Sequence, residues 1–117
     1  MTPGELRERT QKFASLIIGL VVNFKKTDEL RILGRQLLRS ATSIGANYRA
    51  ACRARSKSEF YSKMCIVVEE ADETCYWLEL IDQSELSNNL ELVKKEAEEL
   101  LKIFSSARKT FKEQNQK

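Results

Sequence analysis

The sequence predicts an all-α protein that folds as an up-down-up-down antiparallel four-helix bundle in one domain, residues 1–117. Its 117 residues include only four glycines and one proline, so it lacks the regularly spaced turn residues of a sheet protein. Apolar residues instead recur at three- and four-residue spacing along four segments, which is the period of amphipathic helices. The segments are similar in length and closely connected, which favours antiparallel neighbours.

The first two helices are predicted from their starting residues. Thr2-Pro3-Gly4-Glu5 is a capping box with proline at the first helical position, and it starts a helix over residues 3–25. Thr27 or Asp28 caps a second helix over residues 28–54. Residues 25–28 indicate a break; one long helix fused from these two, in a three-helix arrangement, is the alternative. Small residues along the second helix predict a closely packed neighbour: Gly34, Ala41, Gly45 and Cys52.

The third and fourth helices follow a second capping box. Ser56-Lys57-Ser58-Glu59 starts a helix over residues 57–83. The polar stretch 84–89 predicts the last turn, and a fourth amphipathic helix covers residues 88–112. A chain of this size has room for one core, so the four helices are expected to share it.

Charge is distributed unevenly along the chain. Residues 1–58 carry 12 Lys/Arg against 4 Asp/Glu, a balance of +8, whereas residues 59–117 carry 8 against 13, a balance of −5, within a net charge of +3. A basic first half and an acidic second half favour either pairing between subunits or a basic surface for polyanions.

Composition indicates a cytoplasmic protein that does not enter a membrane. The longest nearly unbroken apolar stretch, Leu16 to Val22, is far shorter than the roughly 20 residues that span a bilayer. The segment before it mixes charges, unlike the basic start of a signal peptide. The three cysteines are odd in number and lack C-x-x-C spacing, which fits a reducing compartment: Cys52, Cys65 and Cys75.

The third helix is apolar on two sides. Its core stripe runs from Phe60 to Leu78, and a second set of residues faces the opposite side. A lone bundle buries one side of each helix, so we expect the second set to form a subunit interface, where aromatic residues concentrate. The predicted interface comprises Cys65, Ile66, Glu69, Glu73, Tyr76, Trp77 and Leu80. The alternative is that Tyr76 and Trp77 cover an edge of the bundle.

Five arginines of the second helix fall within one arc of about 80° at the helical period. They are Arg31, Arg35, Arg39, Arg49 and Arg53, and no acidic residue interrupts residues 30–58. Aligned arginines repel one another unless an anion lies against them, and guanidinium groups suit phosphate. We therefore predict that the stripe contacts nucleic acid. The alternatives are a solvated face, or pairing with Glu69, Asp72 or Glu73 of a neighbouring subunit.

The sequence lacks the usual residue sets for catalytic or metal chemistry. It contains no histidine, which removes the commonest general base, the Ser-His and Cys-His pairs and the usual zinc and di-iron ligand sets. Neither glycine-rich phosphate loop, G-x-x-x-x-G-K-[ST] or G-x-G-x-x-G, occurs. Ser43 has no adjacent base to activate it. We expect no enzymatic activity, no cofactor and no metal.

The segment Gln36–Leu80 carries three specific motifs. They are R-S-x-x-S-I-x-x-N on the second helix (residues 39–47), S-K-x-x-F at the start of the third (56–60) and E-A-x-E-T-x-Y-W-L-E-L (70–80). These motifs resemble the bacterial four-helix bundle family of proteins encoded in intervening sequences of 23S rRNA genes. The resemblance covers most of the chain, but the flanks match only in helical pattern.

The resemblance implies up-down bundles that assemble into ring-like homopentamers. The family is also similar to the accessory protein of diversity-generating retroelements, a basic pentamer that works with a reverse transcriptase and nucleic acid. The near-neutral balance of this chain departs from that protein, which argues against a reverse-transcriptase partner in particular. The prediction is a non-enzymatic homopentamer that binds RNA or DNA through the second helix. The alternative is an interaction scaffold whose arginines pair across subunits, with a protein partner and no nucleic-acid role.

Overall fold

Four α-helices make up most of the chain in a computed structural model, which describes residues 1–116. They are α1 (Pro3–Val22), α2 (Asp28–Cys52), α3 (Lys57–Gln83) and α4 (Glu91–Gln114). The predicted all-α four-helix fold is confirmed. Because α1 and α2 are separate helices joined by a short turn, the fused-helix alternative is wrong.

Side-chain caps start three of the helices. Thr2 Oγ1 accepts a hydrogen bond from the Glu5 backbone N–H, and the Glu5 carboxylate accepts one from the Thr2 N–H at 2.9 Å. Thr27 and Ser56 accept equivalent bonds at the starts of α2 and α3. The N-cap of α4, Leu90, has no side-chain cap bond.

Two helix ends differ from the predicted ones by three residues. α1 ends at Val22 rather than at residue 25, because the Phe24 N–H bonds the Val21 carbonyl in a tight turn that directs Phe24 into the core. α4 begins at Glu91 rather than at residue 88, because Asn89 has a φ of 60°, a left-handed conformation that asparagine tolerates but a helix does not.

The helices pack in chain order around one apolar core. The α2–α3 contact is the most extensive, and α4 returns to α1 through the least extensive contact. α1 and α3 therefore occupy one diagonal of the bundle, and α2 and α4 the other. Large side chains from different helices meet in the centre; the Tyr48 and Phe104 rings, for example, have centroids 5.0 Å apart. No helix within residues 1–116 has an apolar stretch long enough to cross a membrane.

Two glycines allow α1 to approach α2 closely, as the small residues of α2 predicted. A Cβ added to Gly45 would lie 3.1 Å from Thr10 Oγ1, and one added to Gly34 would lie 3.4 Å from Val21 Cγ1. Since Thr10 is buried, it has little room to move away from a Cβ added at Gly45. These contacts set the antiparallel register of α1 against α2, and that register decides which charged residues face each other along the groove between the two helices.

Alanine at Gly45 and alanine at Gly19 should change the free energy of unfolding in opposite directions. An added Cβ at Gly19 meets nothing within 4 Å, so Gly19→Ala should gain about 1 kcal/mol from helix propensity. Gly45→Ala should lower stability, because crowding against buried Thr10 outweighs that gain. Urea unfolding followed by circular dichroism would compare both variants with the wild type. Equal stabilisation by both substitutions would contradict the close contact between α1 and α2.

Candidate functional site

The five arginines predicted to contact nucleic acid all have exposed side chains. They are Arg31, Arg35, Arg39, Arg49 and Arg53. Within residues 1–116, Arg35, Arg49 and Arg53 form no salt bridge. Arg31 pairs with Asp28 at 3.0 Å, but both side chains are largely exposed, so this pair contributes little and leaves Arg31 accessible.

Arg39 differs from the other four arginines, because α3 engages it. One guanidinium nitrogen lies 3.3 Å from the Glu70 carboxylate, and another bonds the Glu73 carboxylate. Beside this cluster, the fully buried hydroxyls of Ser40 and Thr74 hydrogen bond at 2.9 Å. We call these five residues the α2–α3 polar cluster. Arg39 and Glu73, predicted for two different surfaces, thus pair with each other inside one chain.

Trp77 extends the polar cluster along α3. Its Nε1–H donates to Glu73 Oε1 at 3.2 Å, and its ring packs against the core. Burial acts to raise the pKa of the Glu73 carboxyl, but the hydrogen bonds from Trp77 and Arg39 outweigh it and hold that pKa below its ordinary value. Glu73 is therefore a charged acceptor for two donors of its own chain.

The remaining predicted interface residues lie on the outer side of α3. Tyr76 is 56% exposed and Ile66 is 36% exposed, while Cys65 and Leu80 are intermediate and Glu69 is exposed. The Tyr76 ring meets the Trp77 ring edge-on, with centroids 5.1 Å apart. We call the seven predicted residues the α3 outer face. It combines exposed apolar groups with one exposed carboxylate, that of Glu69.

Two basic grooves lie along the junction of α1 and α2. The first is lined by Arg7, Arg49 and Arg53 together with small and polar residues of both helices. We call it the Arg7 groove. The second lies at the other end of the junction, where its basic lining residues are Lys25, Lys26, Arg31 and Arg35. The arginine stripe thus borders α1, rather than standing alone on α2.

The helical period of α2 does not reveal the basic residues that α1 and the following turn add, Arg7, Lys25 and Lys26. A period describes one helix at a time, and these residues join the stripe only through the antiparallel register of α1 and α2. The signal that could have indicated Arg7 was Gly45, a small residue that predicts a close neighbour. Its contact with Thr10 places Arg7, about one turn earlier on α1, near Arg49, about one turn later on α2.

The described residues offer no group of three or more potential metal ligands. None of the three cysteines forms a disulfide in this part of the chain: Cys52 is exposed, Cys65 is partly exposed and Cys75 is buried. Burial raises the pKa of the Cys75 thiol to about 11. Cys75 is therefore a packing residue with a protonated thiol at neutral pH.

Comparison with known proteins identifies the family. The sequence profile of the 23S rRNA-intervening sequence proteins matches residues 5–106. This chain belongs to that family. A crystal structure of a protein of unknown function from the S23 ribosomal protein family of Bacteroides thetaiotaomicron is similar, with a TM-score of 0.82 and 34% identity over 93% of this chain and 99% of that one. No curated protein gives a significant match. The resemblance inferred from the motifs is confirmed.

The family motifs coincide with the α2–α3 polar cluster. Arg39 and Ser40 come from the motif on α2, and Glu70, Glu73 and Thr74 come from the motif on α3. These residues hold two helices of one chain together. The motifs on which the resemblance was based therefore have a structural role, and Arg35, Arg49 and Arg53 lie outside them.

The emission of Trp77, the only tryptophan, should report the protonation of Glu73. Because the pKa of Glu73 is lower in the folded than in the unfolded chain, its stabilising contribution is present above the ordinary value of 4.5 and is lost as pH falls through the folded-state value. A fluorescence titration from about pH 7 to about pH 3 should show a transition with its midpoint below 4.5.

Two variants test the assignment of that transition. Glu73→Gln should remove it, whereas Glu69→Gln, an exposed change on the same face, should leave it in place. Circular dichroism of the same samples must show an intact helical signal through the transition. A transition that survives in Glu73→Gln would assign it to another carboxyl group.

Proposed function

We propose that this chain is a non-enzymatic, homo-oligomeric bundle that binds nucleic acid, RNA foremost, through the basic stripe of α2. The observation that carries the proposal is the set of exposed arginines Arg35, Arg49 and Arg53, which meet no carboxylate in the part of the chain that the structure describes. Arg31 joins this set because its pair with Asp28 is solvent-exposed. Arg39 contributes less, since two carboxylates already hold it.

Guanidinium groups without partners favour a polyanion for a physical reason. Each planar fork can donate two parallel hydrogen bonds to a phosphate, and contacts to successive phosphates release counterions. The neighbouring tyrosine of α2, Tyr48, is buried, so it offers no platform for stacking bases. The binding should therefore be electrostatic, strongly dependent on salt and tolerant of sequence.

The α3 outer face supports self-association. Tyr76 and Ile66 are exposed apolar side chains on a helix whose other side is buried in the core. On α1, diagonally opposite, Leu16, Ile18 and Val22 are exposed as well. A closed ring needs two different patches on each subunit, so apolar surfaces on opposite helices favour a ring over an isologous dimer. We propose a homopentamer joined through the α3 outer face.

The non-enzymatic and cytoplasmic parts of the proposal rest on the sequence. It contains no histidine, so the commonest proton-transfer group is missing. Its cysteines are unpaired in the described residues, which suits a reducing compartment.

A second candidate is a scaffold in which the arginines pair with α3 carboxylates of neighbouring subunits. It is favoured by Glu69 and Asp72, which are exposed and form no salt bridge within residues 1–116. On this view the arginines would hold subunits together, and nucleic acid would have no role.

Reversing two stripe charges should abolish nucleic-acid binding. Arg35→Glu/Arg49→Glu replaces two phosphate contacts with repulsion, so the affinity for labelled structured RNA and duplex DNA should fall more than about tenfold. Fluorescence anisotropy at several salt concentrations measures both the affinity and its salt dependence. The wild type should show a log–log slope of several units, and the variant a much smaller one.

The matched control is Lys95→Glu/Lys102→Glu, which makes the same change in net charge at exposed positions of α4. It should retain most of the affinity. Equal losses in both variants would show that total charge, and not the α2 stripe, governs binding. If the wild type binds no nucleic acid and Arg35→Glu/Arg49→Glu dissociates into smaller species, the result would favour the scaffold.

Truncating the α3 outer face should yield smaller species. Ile66→Ala/Tyr76→Ala removes exposed apolar contacts, whereas Trp77 also packs against the core and is a poorer choice. Light scattering coupled to size-exclusion chromatography would measure the mass. Leu92→Ala, at a side chain that is 83% exposed on α4, is the control and should leave the mass unchanged. An oligomer that survives the double substitution would contradict the interface.

A further inference from the structure

The Arg7 groove is a cleft of about 530 Å³ between the first half of α1 and the second half of α2. Its volume lies within the range of about 300–1,000 Å³ that is usual for binding sites. The close approach at Gly45 brings the helices together at this level, and the small residues Ala14 and Ala46 leave space between them. The groove is therefore a consequence of the packing of α1 on α2.

The charge of the groove is positive. Arg7, Arg49 and Arg53 line it, and Glu8 is its one acidic lining residue. Glu8 follows Arg7 directly, so it lies about 100° further round α1. None of the three arginines pairs with a carboxylate within the described chain. Three guanidinium groups around one cleft repel each other, and an anion placed between them would relieve that repulsion.

The hydrogen-bond donors that remain in the groove also favour an anion. The Thr10 hydroxyl donates to the Arg7 carbonyl and the Thr42 hydroxyl to the Leu38 carbonyl, each at 2.8 Å. Neither proton is left for a ligand. The donors that can serve one are the three guanidinium groups and the amide of Gln11, which also lines the groove. A group that only accepts hydrogen bonds, such as a phosphate, matches this set.

The second basic groove indicates a polymer as the source of the phosphate. Arg35 lies 14 residues from Arg49 on the same helix, or about 21 Å at a rise of about 1.5 Å per residue. Arg35 lines the groove that Lys25 and Lys26 also border. Two basic grooves along one helix junction suit a ligand that presents phosphates at repeated intervals, whereas a single free phosphate would occupy only one.

We propose that the Arg7 groove binds one backbone phosphate of a nucleic acid between Arg7, Arg49 and Arg53. The inference rests on the proposed nucleic-acid function and adds to it: a residue of α1, outside the α2 stripe, contributes directly to binding. Arg7 supplies the side of the site that α2 cannot provide. The second half of α2 then binds through a cleft formed by two helices, and not through an open row of arginines.

Neutralising Arg7 tests the site separately from the stripe. Arg7→Gln should weaken binding of a labelled RNA without terminal phosphates about fivefold to tenfold and reduce the log–log salt slope by about one unit. Lys12→Gln removes one charge from an exposed position of α1 outside the groove and should change neither quantity by more than about twofold. Arg7→Lys keeps the charge, so it should preserve the slope while losing part of the affinity.

Each outcome decides between the two proposals. If the wild type binds nucleic acid and neither Arg7→Gln nor Lys12→Gln changes its affinity, the proposed role of the Arg7 groove is wrong. The proposed role of the α2 stripe is then unaffected. A wild type that binds neither RNA nor DNA at low salt would overturn both. Titration with inorganic phosphate, followed by the ¹⁵N signals of the arginine side chains, separates the sources. Saturation of Arg7, Arg49 and Arg53 by phosphate as tightly as by RNA would identify a free-phosphate site instead.

Discussion

Close contacts on two sides fix the rotation of α2 about its axis, and the outward direction of its arginines follows from them. Toward α3, the buried Ser40 hydroxyl meets Thr74 at 2.9 Å. Toward α1, a Cβ added to Gly45 would lie 3.1 Å from Thr10 Oγ1, closer than an ordinary van der Waals contact. Turning α2 by one residue, about 100°, would bring Ile44 or Ala46 to the position of Gly45. It would also replace the buried pair Ile44 and Tyr48 with Gly45 and Arg49 or with Ser43 and Asn47, so polar groups would enter the core. Small residues on two sides of one helix therefore determine which surface is basic.

The polar cluster between α2 and α3 fixes how the two helices lie against each other. It is not needed to satisfy the hydroxyls of Ser40 and Thr74. The Ser40 and Thr74 hydroxyls also lie within reach of the Leu37 and Glu70 carbonyls of their own helices. If α2 slid along α3, those hydroxyls would keep their bonds to their own helices. They would lose their bond to each other, and Arg39 would lose its pairs with Glu70 and Glu73. The Arg39 side chain is about half exposed, so its pairs orient the helices and contribute only modest stability.

The fold could be predicted from the sequence because helix starts and apolar periods are local signals. Thr2, Thr27 and Ser56 each cap a helix where the pattern placed one. Two predicted helix ends were wrong because something other than the apolar period decided them. Phe24 turns into the core and ends α1 early, and the left-handed φ of Asn89 delays the start of α4. Such preferences leave little trace in a three- to four-residue period.

The candidate site could be predicted only in part, because it depends on the relative position of two helices. The period of α2 places its arginines on one arc, but it cannot show that Arg39 lies within reach of Glu70 and Glu73 while Arg49 does not. That distinction requires the register of α2 against α3. Arg7 joins the site because of the register of α1 against α2, which the contact between Gly45 and Thr10 sets. Periodicity describes each helix alone, so it leaves both registers open.

The proposed ring gives the basic surface a further property. If α1 and α3 make the lateral contacts, the other diagonal of the bundle, α2 and α4, points along the radius of the ring. Every copy of α2 would then face the same way, and the basic grooves would repeat around one rim or one channel. A nucleic acid that spans several grooves binds with an effective concentration set by their spacing, so weak single sites can together bind tightly. The unpaired carboxylate of Glu69 on the α3 outer face would in turn lie between subunits, where its negative charge reduces the repulsion between neighbouring basic grooves.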